Sequence, residues 1–192
     1  MRPRLVIMLK EPVAGRVKTR LGRDIGMTAS AWWFRHQSAV LIRRLRSARW
    51  ETWLAVAPDT ALHSRCWPAD LPRMAQGQGD LGARMARILR AYKGPVVLVG
   101  GDIPGVQQGH IAAAFGQLGQ SELVFGPATD GGFWLVGKHG QVPRGLFENV
   151  RWSGPDTLKD AQASAREARV GFGATLSDVD TIADLKPRKL RL

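Results

Sequence analysis

Short apolar runs alternate with longer amphipathic segments along this chain. The runs are rich in Val, Leu and Phe, and their length suits the strands of a mostly buried sheet. We predict strands over residues 5–9, 53–57, 96–99, 123–125 and 133–136. The segments between them carry apolar residues three and four positions apart, which is typical of helices that bury one face.

Three helical stripes of this kind separate the first four strands. They consist of Phe34, Leu41, Leu45 and Ala48, then Met85, Ile88, Leu89 and Tyr92, then Ile111, Ala114, Phe115 and Leu118. Asp80 is placed to cap the second of these helices. Residues 157–160 and 181–184 both have the form Thr-x-x-Asp, and we predict that each begins a further helix as a capping box.

This alternation of strand and helix patterns predicts an α/β fold. Crossovers between parallel strands are right-handed, so helices cover both faces of a largely parallel sheet. The chain has 192 residues, 44% of them hydrophobic, which suits one domain with a substantial core. We therefore predict a single three-layer α/β/α domain over residues 1–192, with a Rossmann-like, mostly parallel mixed sheet.

The single cysteine, Cys66, excludes an internal disulfide and favours a reducing compartment. Cys66 lies between Arg65 and Trp67 without a nearby His or Asp, so we expect it to be structural. The apolar run at residues 5–9 is too short for a signal-peptide core or a membrane span. We therefore expect a cytoplasmic protein without a membrane span.

The formal net charge of +12 comes mostly from arginine. A basic surface attracts nucleic acid, acidic lipid or a phosphorylated small molecule. Many of the cations, such as Arg43 and Arg44, fall in helical stretches, where a solvated helix face explains them. No zinc-finger spacing, RNA-recognition motif or basic-zipper heptad accompanies the charge, so nucleic acid is the less favoured partner.

Ligands of such sheets bind beyond the carboxyl ends of the strands, and residues 10–20 follow the first predicted strand there. Lys10, Arg16, Lys18 and Arg20 supply four cations in this segment, and Gly15 permits a tight turn. Arg binds phosphate oxygens bidentately and Lys binds them as a point charge. The segment therefore predicts a di- or triphosphate site, although it lacks the glycines of a Walker A loop.

A carboxylate follows the third predicted strand. Gly100 and Gly101 precede Asp102, and Pro104 fixes the chain beyond it. A hard oxygen ligand beside a phosphate loop indicates Mg²⁺, which commonly takes one or two carboxylates plus substrate phosphates. The alternative interpretation is that Asp102 caps the next helix.

Two further carboxylates have two interpretations each. Asp130 stands before two glycines and between two strands, so it is either a hairpin turn or part of the same site. Asp180 either stabilises the start of a helix or completes a metal site with Asp102. Residues 77–82 match G-x-G-x-x-G, but no convincing strand precedes them, so we predict no dinucleotide-binding loop there. The four histidines are dispersed, without metal spacing.

Five motifs follow one another over nearly the whole chain. They are Lys10-x-Pro12-x-x-Gly15-Arg-Val-Lys18-Thr-Arg20-Leu, Gln78-Gly-Asp80-Leu-Gly82-x-Arg84-Met85, Gly101-Asp102-x-Pro104, Gly126-Pro-Ala-x-Asp130-Gly-Gly-Phe and Asp178-Val-Asp180-Thr181-x-x-Asp184-Leu185. With these motifs the chain resembles a GT-A-like bacterial family, the rSAM/selenodomain-associated transferases, a domain of unknown function. That family is similar to nucleotide-diphospho-sugar transferases and to molybdenum-cofactor and phospholactate guanylyltransferases.

The resemblance implies a GT-A fold with a nucleotide-binding site. The implied nucleotide-binding residues are Lys10, Gly15, Arg16, Lys18, Arg20, Gln78 and Asp80. Asp102 and Asp180 would bind Mg²⁺ or Mn²⁺, and Asp130 would lie in the acceptor region. Asp102, Asp130 and Lys18 would be the catalytic residues.

We expect a metal-dependent, glycosyltransferase-like enzyme that uses a nucleotide-diphospho-sugar and a small-molecule acceptor. The alternative is a guanylyltransferase-like nucleotidyltransferase that joins a nucleoside triphosphate to a phosphorylated acceptor. Both need a metal that bridges phosphate oxygens and cations that stabilise developing charge, so the motifs do not separate them. A non-catalytic basic binding module is a third interpretation, and a homodimer is compatible with all three.

Overall fold

The computed structural model describes residues 1–177 and 179, and in this part of the chain seven strands alternate with five α-helices. The strands are β1 (Arg4–Lys10), β2 (Glu51–Ala57), β3 (Arg73–Ala75), β4 (Val96–Gly100), β5 (Leu123–Pro127), β6 (Phe133–Lys138) and β7 (Val170–Phe172). The helices are α1 (Thr19–Ile25), α2 (Met27–Leu45), α3 (Leu81–Arg90), α4 (Gln108–Gln117) and α5 (Thr157–Ser164), and a short 3₁₀ helix spans Asp59–His63.

One sheet contains these seven strands in the order β3-β2-β1-β4-β6-β5-β7. The pairs β1–β2, β1–β4, β2–β3 and β5–β7 are parallel, whereas β6 runs antiparallel to β4 and β5. The sheet is therefore mostly parallel and mixed, which confirms the predicted α/β fold class. Within the described residues, no helix combines the length and the apolar character needed to cross a membrane.

The core consists of two apolar layers, one on each face of the sheet. Alternate side chains of β1 point to opposite faces. Leu5 and Ile7 pack with residues of α2 and α4, and Val6 packs with residues of α3 and α5. The helices thus cover both faces of the sheet and leave its edge of carboxyl strand ends as the place for a site.

The five predicted strands are all present and extend slightly beyond the apolar runs. The pattern missed β3 and β7, which have three residues each and are too short to show a period. It also missed α1, because the polar residues around it indicated a loop. The two omitted strands lie at the edges of the sheet, and the five predicted strands form its centre.

Three predicted helical positions lie outside the helices, and one of them, Leu118, directly follows α4. Ala48 lies outside α2, which ends at Leu45, where the indole nitrogen of Trp50 donates a hydrogen bond of 2.9 Å to the Leu45 carbonyl. Tyr92 lies beyond α3 and contacts the amino-terminal segment instead. Its hydroxyl donates to the carbonyl of Arg2 at 2.7 Å, and its ring lies 3.8 Å from the guanidinium carbon of Arg4.

Of the helix starts, the Asp80 cap is confirmed, because its carboxylate accepts a hydrogen bond of 2.8 Å from Ala83 N. The predicted capping box at residues 157–160 is wrong, although the helix exists. α5 begins at Thr157 with Asp156 as its cap residue, and the carboxylate of Asp160 accepts hydrogen bonds from Arg151 instead. The second predicted box, at residues 181–184, lies outside the described residues.

The interpretation of residues 77–82 needs a correction. A strand, β3, does precede them, and α3 follows. Packing explains Gly82, since a Cβ atom there would lie 2.8 Å from both Phe147 Cβ and Trp152 Cζ2. The turn therefore links an edge strand to α3 and lies at the carboxyl edge of the sheet.

Candidate functional site

A cleft of about 560 Å³ opens at the carboxyl edge of the central strands. The sheet order places the end of β4 between the end of β1 and the β5–β6 hairpin. The predicted site residues that line this cleft are Lys10, Arg16, Lys18, Arg20, Asp102 and Asp130. Three segments far apart in sequence therefore meet here, as the pattern predicted.

Lys18 and Asp102 form an ion pair at the centre of this edge. The Nζ atom of Lys18 donates to Oδ2 of Asp102 at 2.8 Å, and the Lys18 side chain is only 6% exposed. Lys18 also has left-handed backbone angles, φ 45° and ψ 46°, at the residue that precedes α1. Such a conformation is uncommon outside glycine, and strained residues of this kind cluster at functional sites.

The predicted phosphate loop, residues 10–20, is anchored by the buried apolar side chain of Val17. Val17 is 4% exposed and belongs to the core on the α2 side of the sheet. Lys10, Arg16 and Arg20 are exposed around it. Gly15 does not line the cleft and instead makes a turn with φ 76°, as its small size predicted. The loop therefore offers cations to a ligand while its backbone stays fixed.

Asp102 is positioned by the close approach of two strands. A Cβ atom on Gly101 would overlap Cδ2 of Leu9, so only glycine lets the end of β4 lie so near to β1. Asp102 does not cap α4, because that helix begins at Gln108 with Gln107 as its cap residue, and this alternative interpretation is wrong. The Asp102 side chain remains 34% exposed toward the cleft.

The carboxyl-terminal segment returns to the same place. The backbone nitrogen of Val179 donates to the Asp102 carbonyl at 3.3 Å. Asp180, the predicted second metal ligand, lies outside the described residues. Within the described residues, no group of three His, Cys, Asp or Glu side chains is arranged to hold a metal ion. Asp102 is thus the carboxylate that pairs with a lysine of the predicted phosphate loop and faces the cleft.

Asp130 lies in a hairpin turn, and the same turn places it at the cleft. It lies in the hairpin between β5 and β6, where Ala128 N donates to the Gly132 carbonyl at 2.9 Å, and it also lines the cleft. Gly132 N donates to its Oδ1 at 2.9 Å, which orients the exposed carboxylate. The tip of the hairpin is held against α5, because Leu158 N donates a hydrogen bond of 2.9 Å to the Gly131 carbonyl.

Gln78 and Asp80 lie apart from the main cleft. Gln78 lines a smaller cavity of about 270 Å³, which shares Lys10 and Arg16 with the cleft. Asp80 lines neither cavity and caps α3. The turn that carries both residues is held by Arg87, which donates to the carbonyls of Gln76 at 2.7 Å and Gln78 at 2.8 Å. The structure therefore places Gln78, but not Asp80, where a ligand can contact its side chain.

Several cleft residues were missed by the sequence analysis. They are Gln76, Leu81, Phe133, Trp152, Ser153 and Thr157. The Ser-Gly-Pro turn after Trp152 is a signal that this segment is a loop, and Gln76 directly precedes the glycine-rich turn. Neither signal indicates which cavity the side chain lines, so three-dimensional packing was needed to find them.

Cys66 takes no part in the cleft, as expected for a structural residue. Its thiol accepts a hydrogen bond from the Ser64 hydroxyl at 3.2 Å. Burial raises the pKa of the Cys66 thiol above its ordinary value, which disfavours the nucleophilic thiolate.

The sequence of this chain matches a bacterial protein family. A family model described as "Uncharacterized protein conserved in bacteria (DUF2064)" matches residues 40–154. No curated protein matches the chain.

Solved structures of similar fold include a proposed nucleotide-diphospho-sugar transferase from Desulfovibrio desulfuricans G20. It is 26% identical, with a TM-score of 0.80, over 96% of this chain and 84% of that chain. Rv0371c from Mycobacterium tuberculosis H37Rv in complex with manganese is 17% identical, with a TM-score of 0.52 and 96% of each chain covered. A CMP:2-keto-3-deoxy-manno-octonic acid synthetase in complex with CTP is 11% identical, with a TM-score of 0.55, and the match covers 96% of this chain and 95% of that chain. The last two share the fold.

Proposed function

The chain belongs to the bacterial DUF2064 family, and on that premise we propose that it is a metal-dependent transferase that takes a nucleotide-diphospho-sugar as donor. In this proposal the sugar passes to a small-molecule acceptor and the nucleoside diphosphate leaves. The protein of known structure with 26% identity, itself a proposed nucleotide-diphospho-sugar transferase, supports this choice of donor.

The order of charged groups along the sheet edge carries the proposal. Cations follow β1, the Asp102 carboxylate follows β4, and the Asp130 carboxylate stands in the β5–β6 hairpin. A donor whose diphosphate lies on the phosphate loop would present its sugar toward Asp102 and Asp130. The diphosphate is the part that gains negative charge when the bond breaks, and the cations are placed to stabilise that charge.

In the proposed reaction, each side chain has a separate task. Lys10, Arg16, Lys18 and Arg20 bind the diphosphate, and Gln78 contacts the nucleoside part from the smaller cavity. Asp130 takes the proton of the acceptor hydroxyl as the new bond from that oxygen to the anomeric carbon forms. The bond from this carbon to the diphosphate breaks, and its electron pair leaves with the nucleoside diphosphate.

The donor set beside the phosphate loop fits a divalent cation. Mg²⁺ and Mn²⁺ favour oxygen ligands, and Mg²⁺ is commonly held by one or two carboxylates together with substrate phosphates. Asp102 would supply one carboxylate, and Asp180 is proposed as the second. The bound cation would act as a Lewis acid that neutralises phosphate oxygens.

A second candidate is nucleotidyl transfer, in which a nucleoside triphosphate reacts with a phosphorylated acceptor and pyrophosphate leaves. The number of cations favours it, since four basic side chains line one cleft and a triphosphate carries more charge than a diphosphate. The synthetase with bound CTP shows the same fold.

Product analysis separates the two reactions. The protein is incubated with Mg²⁺ or Mn²⁺, a panel of nucleotide-sugars or nucleoside triphosphates, and an extract of small molecules as acceptors. Release of a nucleoside diphosphate supports sugar transfer, whereas acceptor-dependent release of pyrophosphate supports the second candidate. If neither is released with any donor, both proposals fail.

Ligand binding tests the site independently of the acceptor. A nucleotide present at about a hundred times its dissociation constant raises the free energy of unfolding by roughly 2.7 kcal/mol, which a thermal-shift panel detects. We expect this stabilisation to require the divalent cation. Binding of nucleic acid that falls steeply with salt and is unchanged by Asp102→Asn would instead support the non-catalytic basic module.

A further inference from the structure

The cleft has an apolar chamber that the phosphate chemistry does not use. Its walls are six side chains from the sheet, α3 and the loop before α5: Met8, Leu81, Met85, Leu98, Phe133 and Trp152. Met85 and Leu98 are buried, whereas the Leu81 side chain is 47% exposed. An apolar wall of this extent at the bottom of a polar cleft matches the usual make-up of a small-molecule site.

The aromatic part of the wall is built from segments distant in sequence. The ring of Phe133 stacks on Phe147 at 6.0 Å, and the ring of Trp152 lies 6.3 Å from Phe133. Trp152 also lies against Gly82, where any side chain would collide with its indole ring. Packing against Phe133 and Gly82 therefore fixes the position of Trp152, and its side chain lines the cleft.

The buried polar residue Gln76 lines the cleft together with these apolar side chains. Gln76 is 4% exposed, and its amide nitrogen donates to the carbonyls of Leu9 at 3.0 Å and Ala55 at 2.9 Å. Two carbonyl acceptors fix the orientation of the amide, because only its nitrogen carries hydrogens. With its amide nitrogen held by two carbonyls, the Oε1 of Gln76 is the atom of this amide that can accept a hydrogen bond from a ligand in the cleft.

The charges of the cleft decide which substrate enters this chamber. The Gln76 oxygen and the Asp130 carboxylate are acceptors, and each disfavours a phosphate group in its part of the cleft. The cations lie on the phosphate loop after β1, and Lys10 and Arg16 border the smaller cavity together with Gln78 and Arg84. The diphosphate and the nucleoside therefore have their own places, and the chamber is left for the acceptor.

We propose that the chamber is an acceptor subsite that takes a neutral, hydroxyl-bearing compound with an apolar or aromatic body. The acceptor packs this body on Phe133 and Trp152, donates a hydrogen bond to Gln76, and directs its reacting hydroxyl toward Asp130. The inference rests on the proposed transferase function, and it disfavours the phosphorylated acceptor of the second candidate.

Methionine methyl groups provide a direct test. Met8 and Met85 line the chamber, whereas Met1 and Met27 lie elsewhere on the surface, so the full chain labelled with ¹³C in its methionine methyl groups contains its own control. The probes are 2-phenylethanol, which is neutral, and its phosphate ester. We expect the alcohol to shift the Met8 and Met85 signals and to leave those of Met1 and Met27 in place.

Substitution of one wall residue ties the shifts to the chamber. Trp152→Ala should weaken binding of 2-phenylethanol roughly three- to tenfold, the scale of one aromatic contact. Trp32→Ala, at a tryptophan that is 70% exposed and outside the cleft, should leave it unchanged. Unfolding curves of both variants verify that each is folded. Equal affinity of folded Trp152→Ala and the unsubstituted protein would overturn the proposal.

Three other results would also overturn it. The first is the absence of any shift at Met8 and Met85 with the alcohol. The second is tighter binding of the phosphate ester than of the alcohol. The third is a nucleotide that shifts the Met8 and Met85 signals as strongly as the alcohol does, because the base would then occupy the chamber. Failure of every nucleotide to bind anywhere would instead refute the transferase function and leave the result for the alcohol standing.

Discussion

The ammonium nitrogen of Lys18 lies 2.8 Å from a carboxylate oxygen of Asp102, a residue 84 positions later in the chain. The pair joins the phosphate loop after β1 to the end of β4, so the cations and the carboxylate of the site are held in one geometry. Lys18 reaches Asp102 from a left-handed backbone conformation, which a lysine adopts only when its surroundings impose it. The strain and the ion pair together mark this point as the centre of the site.

Asp102→Asn should abolish the effect of divalent cations on nucleotide binding. The amide keeps the size of the side chain but is a poorer metal ligand, because it lacks the negative charge. We expect turnover to fall at least about a hundredfold, the scale of one lost electrostatic contribution at an active site. Thermal shift with nucleotide, measured with Mg²⁺ and then with a chelator, checks the binding. Asp70→Asn, at an exposed ion pair with Arg46, is the control and should behave like the unsubstituted protein.

A cation-dependent stabilisation that survives Asp102→Asn in full would contradict this prediction. The metal would then be bound by other residues, and the role assigned to Asp102 would be wrong.

Lys18→Gly should separate stability from activity. Glycine adopts a φ of 45° without strain, so the variant gains about 1 kcal/mol from the backbone and loses the ion pair with Asp102. We expect the free energy of unfolding to change by less than about 1 kcal/mol, because the two effects oppose each other and water can hydrate the Asp102 carboxylate, which is 34% exposed. The transfer rate should fall about a hundredfold, since the lysine no longer stabilises the phosphate. Urea unfolding and turnover are the two measurements, and a variant with the full rate would exclude a catalytic role for Lys18.

The sequence pattern predicted the central sheet and the three chemical segments well, for a physical reason. Strands β1 and β4 are buried on both faces, so their apolar runs are nearly continuous and easy to recognise. Lys18, Asp102 and Asp130 then follow from the rule that ligands gather at carboxyl strand ends. Edge strand β3 has three residues and shows no period, so the turn at residues 77–82 was placed without its strand.

The chamber residues were beyond prediction for a different reason. Trp152 and Phe133 are typical core residues in any apolar pattern, and nothing local indicates that one edge faces a cavity. Gln76 becomes notable only because Leu9 and Ala55 use its amide hydrogens, and these residues lie 67 and 21 positions away. Long-range packing of this kind has no signature in a single sequence.

Acid should weaken the loop that carries Trp152. The guanidinium of Arg151 lowers the pKa of Asp160 from 3.8 to about 2 by hydrogen bonding. Because this folded-state pKa lies below the unfolded one, the pair stabilises the protein above about pH 4 and loses its effect as the pH falls from 4 to 2. Asp160→Asn should therefore lower the melting temperature at pH 7 and make less difference at pH 3.

Melting curves from pH 3 to 7 test this prediction. Glu167→Gln, which removes an exposed carboxylate shortly after α5, is the control. Arg151 is exposed and Asp160 is half-buried, so the expected effect is small and should shrink further in high salt. A difference between Asp160→Asn and the unsubstituted protein that grew toward pH 3 would contradict the sign of the linkage.

Gly131→Ala should disturb the hairpin that carries Asp130, and Gly140→Ala is its matched control. Both glycines have positive φ angles, 87° and 82°, so alanine introduces similar backbone strain of about 1 kcal/mol at each. At Gly140 the new methyl group meets no atom within 4 Å, whereas at Gly131 it would overlap the backbone of Pro155.

Relief of that overlap at Gly131 must move the hairpin tip away from α5 and break the hydrogen bond from Leu158 N to the Gly131 carbonyl. We expect Gly131→Ala to lose about 1–3 kcal/mol more stability than Gly140→Ala, together with most of its turnover, because Asp130 moves with the tip. Urea unfolding and turnover of the two variants decide the matter, and equal losses in both would mean that the contact with Pro155 does not position Asp130.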